Sequence, residues 1–188
     1  MIIDPIANNS SLFSLSEVFP ETISDQLMQL DWRSVKVGSV DNLLGDENRY
    51  NLSLPADLFN ELNDHLRINT LPQIESTLNI KFDTSKHTYL VCWLNDVGYL
   101  SDIHIDGTLP ATMQVYWQPT DRSDCGTYFY NSCDENDVLH YFENTPNTGY
   151  LALAKTSKLP LWHGTKKPLE EGVLRVCFMI ILPDYTVL

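Results

Sequence analysis

His104 and Asp106 stand on either side of one residue, and His163 and Arg175 follow far downstream, in Trp162-His163-Gly164 and Leu174-Arg175-Val176. Side chains two apart on an extended strand leave the same face, so His104 and Asp106 can hold one ion together. His163 as a third ligand completes two imidazoles and one carboxylate on one side of a metal. That set suits non-haem Fe(II) and leaves other coordination positions open. Arg175 sits in an apolar run, where its guanidinium fork can act as a fixed clamp for a carboxylate.

These groups need a scaffold, and the hydrophobic pattern supplies one. Ile23, Leu27 and Leu30 recur at helical spacing after Pro20, and Leu58, Leu62 and Leu66 do so after Leu54-Pro55. A third helical piece is expected over 71–78. Residues 12–19 can pair as an edge strand, and 34–54 read as irregular loop with brief strands. From Lys81 onward short strand candidates dominate: HTYLVCWL, GYLSDIHID, ATMQVYWQP, GTYFYNS, VLHYFEN, GYLALAK and VLRVCFMIIL. Turn residues such as Asp106-Gly107, Gln118-Pro119 and Glu171-Gly172 punctuate them. Helices followed by about seven strands predict an α+β, mainly β fold, closed as a barrel or a double-sheet jelly roll. One domain is expected over 1–188, with a helical and irregular layer at 1–80 and a β core at 81–188 carrying the site. His163 and Arg175 are expected on adjacent antiparallel strands joined by a turn.

The order His104-x-Asp106, His163, Arg175 resembles that of the Fe(II)/2-oxoglutarate-dependent dioxygenases, above all the prolyl-hydroxylase-like branch. Three further stretches are similar to that family: Gly98-Tyr99 before the first ligands, Cys125-Gly126-Thr127-Tyr128-Phe129, and 147–153 leading to the distal histidine. The resemblance covers about residues 80–182 and implies a double-stranded β-helix with supporting N-terminal helices. It implies Fe(II) on His104, Asp106 and His163, with 2-oxoglutarate and O2 as cosubstrates. Arg175 would pair with the distal carboxylate of 2-oxoglutarate. The implied reaction hydroxylates an unactivated C–H bond of a peptidyl or small-molecule substrate and releases succinate and CO2. Many relatives carry Ser or Thr two residues after the arginine; here Cys177 would line the cosubstrate pocket with a weaker donor. An aromatic hydroxyl from the strand after the first ligands often helps to bind 2-oxoglutarate, and Tyr116 offers one here. Its neighbour Trp117 must then face the other way.

Other residues are weighed against plainer roles. Asp102 shares the expected face of the ligands and either orients an imidazole or meets solvent. Trp93 and Tyr89 are candidate pocket walls, and Arg49 and Tyr50 candidate lid or substrate contacts. Trp162 is expected to pack against helices, while His65, His87 and His140 have no partner at ligand spacing. The segments 36–51 and 119–125 are expected to decide the substrate. Two other functions compete: a cupin-like module binding a metal or small acid without oxidation, and a zinc hydrolase on the same three ligands. Neither gives Arg175 as clear a task.

The chain carries a net charge of −13, which repels phosphate backbones and argues against nucleic-acid binding. Lys155, Lys158, Lys166 and Lys167 read as a solvated rim. No apolar run reaches the ~20 residues that span a bilayer. Met-Ile-Ile-Asp-Pro at the amino terminus lacks a secretory pattern, so a cytoplasmic location is expected. The four cysteines are then expected as free thiols, although Cys125 and Cys133 could pair across a hairpin.

Overall fold

The computed structural model describes residues 1–39, 48–117 and 125–188. Its centre is a large sheet of eight strands. In spatial order these are β1 (Ile2–Ile6), β2 (Asn9–Ser16), β10 (Thr148–Ala152), β7 (Ala111–Tyr116), β12 (Arg175–Leu182), β6 (Tyr89–Asn95), β4 (Arg49–Leu52) and β3 (Lys36–Ser39). A smaller sheet contains β11 (Trp162–Gly164), β8 (Thr127–Tyr130) and β9 (Val138–Phe142). Two short strands, β5 (Ile80–Phe82) and β13 (Tyr185–Val187), pair separately.

Strand alternation sends the large sheet's side chains to two different environments. Val176, Phe178, Ile180 and Leu182 of β12 join Met113, Val115, Cys92 and Leu94 in one apolar cluster. The helices α1 (Glu21–Met28), α2 (Ala56–His65) and α3 (Leu71–Leu78) close it with Ile23, Leu27, Leu58, Leu62 and Ile74. The intervening residues face the small sheet. There Tyr116, Tyr150 and Cys177 pack with Phe129 and Phe142. The functional groups lie on this second face.

Several expectations change. Residues 2–16 form a hairpin whose second strand lies inside the sheet, paired with both β1 and β10, so β2 is no edge strand. The 1–80 region is therefore no separate helical layer: it contributes β1 to β4 to the main sheet. The two helices expected over 55–78 form one rod, because a π turn at Leu66–Thr70 bridges α2 and α3 and the Leu71 N–H reaches back to the Leu66 carbonyl. Pro72, with no N–H to give, stands in the first turn after it. All four cysteines are free; Cys125 is buried and Cys133 exposed. No helix among the described residues is long and apolar enough to cross a membrane.

Candidate metal centre and carboxylate clamp

The segment 99–106 is not the expected strand. It bends at residue 103 and makes a single bridge, His104 to His163. The bridge is reciprocal: the His104 N–H donates to the His163 carbonyl at 2.9 Å, and the His163 N–H donates to the His104 carbonyl at 2.8 Å. Residues directly opposite in an antiparallel pair present their side chains to one face. One bridge thus places both imidazoles together, and their ring centroids are 4.4 Å apart. The bend also undoes the expected alternation, since Tyr99 and Ser101 line the same cavity as His104 and Asp106. Gly164 permits the close approach: a Cβ there would lie 2.8 Å from the Ser101 carbonyl oxygen and 2.9 Å from that of Asp102.

Asp106 completes the cluster. Its Oδ1 lies 3.4 Å from Nε2 of His163 and 4.0 Å from Nε2 of His104. One ligand atom from each of the three residues falls within 4.8 Å of the others. Each ligand is held from behind. The His104 Nδ1 is 2.7 Å from the Asp102 carbonyl, and the His163 Nδ1 is 3.0 Å from that of Leu161. A carbonyl can only accept, so both Nδ1 atoms carry protons, and in the neutral rings the Nε2 lone pairs face Asp106. Thr112 donates its hydroxyl to Asp106 Oδ2 at 3.0 Å. Asp102 serves through its backbone, its side chain being exposed. Burial disfavours charge on Asp106 and His163, but their mutual attraction prevails. The carboxyl is held below its ordinary range and the imidazole above its own. The donor set and these anchors fit a divalent cation.

Arg175 stands beside this cluster and lines the same narrow cavity, of about 90 Å3. It opens β12 on the large sheet, whereas His163 lies on β11 of the small one, so the two are not on adjacent strands as the spacing suggested. The ten residues 165–174 between β11 and β12 cross from one sheet to the other. Arg175 is 2% exposed. Its Nη2 donates to Thr127 Oγ1 at 2.7 Å, and its Nε has no partner among the described residues. Among the described residues no carboxylate pairs with it. A buried guanidinium without an anion is costly, and a ligand that brought one would offset that cost.

Tyr116 and Cys177 are buried near this arginine but are not among the residues that line the cavity. The Tyr116 hydroxyl donates to Thr127 Oγ1 at 2.6 Å, and the ring centroid is 5.4 Å from the Arg175 Cζ. Burial pushes the Tyr116 hydroxyl up to about 12, so it stays a donor at neutral pH. Cys177 pairs with Tyr116 in register. Its thiol is pushed up by burial despite the nearby Arg175 charge. Trp117 turns to the helix-side core, as the alternation requires.

Trp93 lines the cavity, with the Arg49 Cζ 4.1 Å from its ring centroid. Tyr89 does not: it is 59% exposed and borders a separate 830 Å3 hollow with Lys86, His87 and Lys155 that contains no comparable ligand cluster. Tyr50 faces Lys36, whose Nζ is 3.3 Å from the ring centroid. Trp162 is half-buried opposite Tyr130 in the small sheet, so its neighbours are strands rather than helices. His65, which has no partner at ligand spacing, bonds the Val18 carbonyl at 3.0 Å. Sequence reading missed Thr127, Gln114, Thr112 and Asn95, polar residues at alternate strand positions. A polar residue on the inward face of a core strand was the available signal. Of the segments expected to decide the substrate, 40–47 and 119–124 lie outside the described residues.

No family model matches the chain, and no curated protein matches it by sequence. Solved structures do match in fold. A prolyl hydroxylase of Trichoplax adhaerens, in complex with a hypoxia inducible factor oxygen degradation domain peptide, superposes with a TM-score of 0.66 at 14% identity, covering 94% of this chain and 85% of that one. A Pseudomonas putida prolyl-4-hydroxylase gives 0.62 at 11% identity, covering 95% and 94%. HygX of Streptomyces hygroscopicus, with nickel and 2-oxoglutarate bound, gives 0.58 at 13% identity, covering 90% and 82%. The chain shares the fold of these mostly β proteins.

Proposed function

We propose that this protein is an Fe(II)- and 2-oxoglutarate-dependent oxygenase on a double-stranded β-helix. Its reaction hydroxylates a C–H bond of a peptidyl or small-molecule substrate. The observation that carries the reading is the buried Arg175, without a carboxylate partner among the described residues, in one cavity with His104, Asp106 and His163. A pure metal site has no need of such a cation. The fold likeness to prolyl hydroxylases and to a 2-oxoglutarate complex supports it.

In this reading His104, Asp106 and His163 hold Fe(II), and Arg175 takes the distal carboxylate of 2-oxoglutarate. When bound, the metal and cosubstrate supply O2 activation for C–H hydroxylation, with succinate and CO2 as the other products. The chain's own residues do the positioning. The carbonyls of Asp102 and Leu161 fix the imidazole tautomers, and Thr112 fixes the carboxylate. Thr127 ties Arg175 to Tyr116, setting the guanidinium plane before any ligand arrives. The cavity is narrow, so it takes a small acid, and a larger substrate stays at its mouth. Phe129 stacks on His163 at 5.1 Å and helps to exclude water from that ligand.

Anaerobic protein mixed with Fe(II) and 2-oxoglutarate tests the proposal. A weak visible charge-transfer band is expected in the wild type and is expected to be lost in His104→Ala. Absence of the band in wild type would sink the oxygenase reading. Succinate release without a prime substrate provides a second readout.

A further inference from the structure

Two buried donors on the site face of the large sheet have no acceptor among the described residues. One is Nε of Arg175; the other is Nδ2 of Asn95, a residue with no exposed surface. They belong to directly paired residues, since Asn95 of β6 is the register partner of Arg175 of β12. Their side chains therefore leave the same face side by side. Asn95 also pairs with Arg49 of β4, so Arg49, Asn95 and Arg175 form one row across three strands.

The amide has a defined orientation. Asn95 Oδ1 accepts from Nε of Arg49 at 3.1 Å. Arg49 is in turn held against the Trp93 ring and donates to the Tyr99 hydroxyl. With the oxygen turned to β4, the NH2 group is the part left for the Arg175 side of the row. A buried amide donor with no acceptor is costly, as is a buried guanidinium N–H. Two such donors together call for a single group with two acceptor oxygens, which is what a carboxylate offers. Cys177, the other candidate beside Arg175, is a buried thiol and only a weak donor.

We infer that Asn95 is a second donor of the carboxylate clamp: its Nδ2 and the Arg175 guanidinium together hold the distal carboxylate of the 2-oxo acid, with Arg49 setting the direction of the amide. The inference rests on the oxygenase reading and names a residue which that reading does not require. The bond is a neutral amide N–H donating to a carboxylate oxygen, and it adds selectivity for a dicarboxylate over a 2-oxo acid that lacks the distal group.

The test measures anaerobic binding of 2-oxoglutarate and of pyruvate to Mn(II)-loaded protein, for wild type and Asn95→Leu. The variant should bind 2-oxoglutarate at least ten-fold more weakly, bind pyruvate within two-fold of wild type and keep its Mn(II) affinity. Its ligand-free melting temperature should change little, because the unsatisfied Nδ2 is removed together with the bond that Oδ1 accepts from Arg49. Asn95→Asp, of the same size and still able to accept from Arg49, should show the same selective loss if the leucine variant fails to fold. An equal loss for both acids, or no loss for 2-oxoglutarate, overturns the inference and leaves the amide with a structural role or a bridging water. A wild type that binds neither acid overturns the oxygenase reading and this inference together.

Discussion

The two faces of the large sheet are made by the same strands and have opposite characters. On β12, Phe178 enters the helix-side core with no exposed surface, while Arg175, three residues earlier, enters the site face with no carboxylate partner among the described residues. One face is close-packed hydrocarbon, which accounts for the sheet's attachment to α1, α2 and α3. The other has polar donors, packed aromatic rings and a cluster of atoms that could ligate a metal. Alternation along a strand separates the two tasks residue by residue, so stability and ligand affinity should respond independently to neighbouring substitutions.

That independence can be broken by experiment. The largest effect on folding is expected on the helix side: Phe178→Ala should lower stability to urea by about 3–5 kcal/mol through transfer loss and cavity formation. Its folded fraction should still bind metal and 2-oxoglutarate as wild type does. A change in ligand affinity comparable to the stability loss would show the two faces to be coupled. Arg175→Met should do the reverse. It removes a buried, unpaired charge, so the ligand-free melting temperature should stay level or rise. Its 2-oxoglutarate affinity should fall by about 2–5 kcal/mol in titration calorimetry, because a carboxylate loses its buried partner. A marked drop in ligand-free stability would contradict the account of Arg175 as an uncompensated charge.

Smaller effects sharpen the same contrast. Thr112→Val removes the hydroxyl that anchors Asp106 and should weaken metal binding by about 10–100-fold, the usual cost of losing such an outer contact. An unchanged metal titration would mean that Asp106 is held by other means. Tyr116→Phe deletes the 2.6 Å bond to Thr127 and should cost about 1 kcal/mol of stability by chemical denaturation. A loss of several kcal/mol there would mean that the hydroxyl supports the fold by more than this one bond.

Much of the helix side could be read locally, because it is written in short-range periodicity. Ile23 and Leu27 of α1, Leu58 and Leu62 of α2 and the run Val176 to Leu182 announce their elements and their burial. The candidate metal ligands were equally legible, since histidine and aspartate at His104-x-Asp106 are sparing residue types with few plain uses on a strand. Their setting was not. The bend at residue 103 replaces strand pairing with one reciprocal bridge between His104 and His163, and that contact spans 59 positions of chain. The crossing of 165–174 between sheets has no local signature either. Asn95, Thr127 and Arg49 become neighbours of Arg175 only through cross-strand register and sheet-to-sheet packing, so no pattern within β4, β6 or β8 singles them out.

The central claim is that Arg175 and the His104, Asp106 and His163 cluster form one site for a metal and a dicarboxylate. Melting temperatures measured anaerobically with Mn(II) alone, and then with Mn(II) and 2-oxoglutarate, test it most directly. The account predicts a rise with metal and a further rise with 2-oxoglutarate in wild type. It predicts only the first rise in Arg175→Met and neither in Asp106→Ala. A wild-type protein that responds to metal but not to 2-oxoglutarate, or an Arg175→Met protein that still shows the second rise, would contradict it.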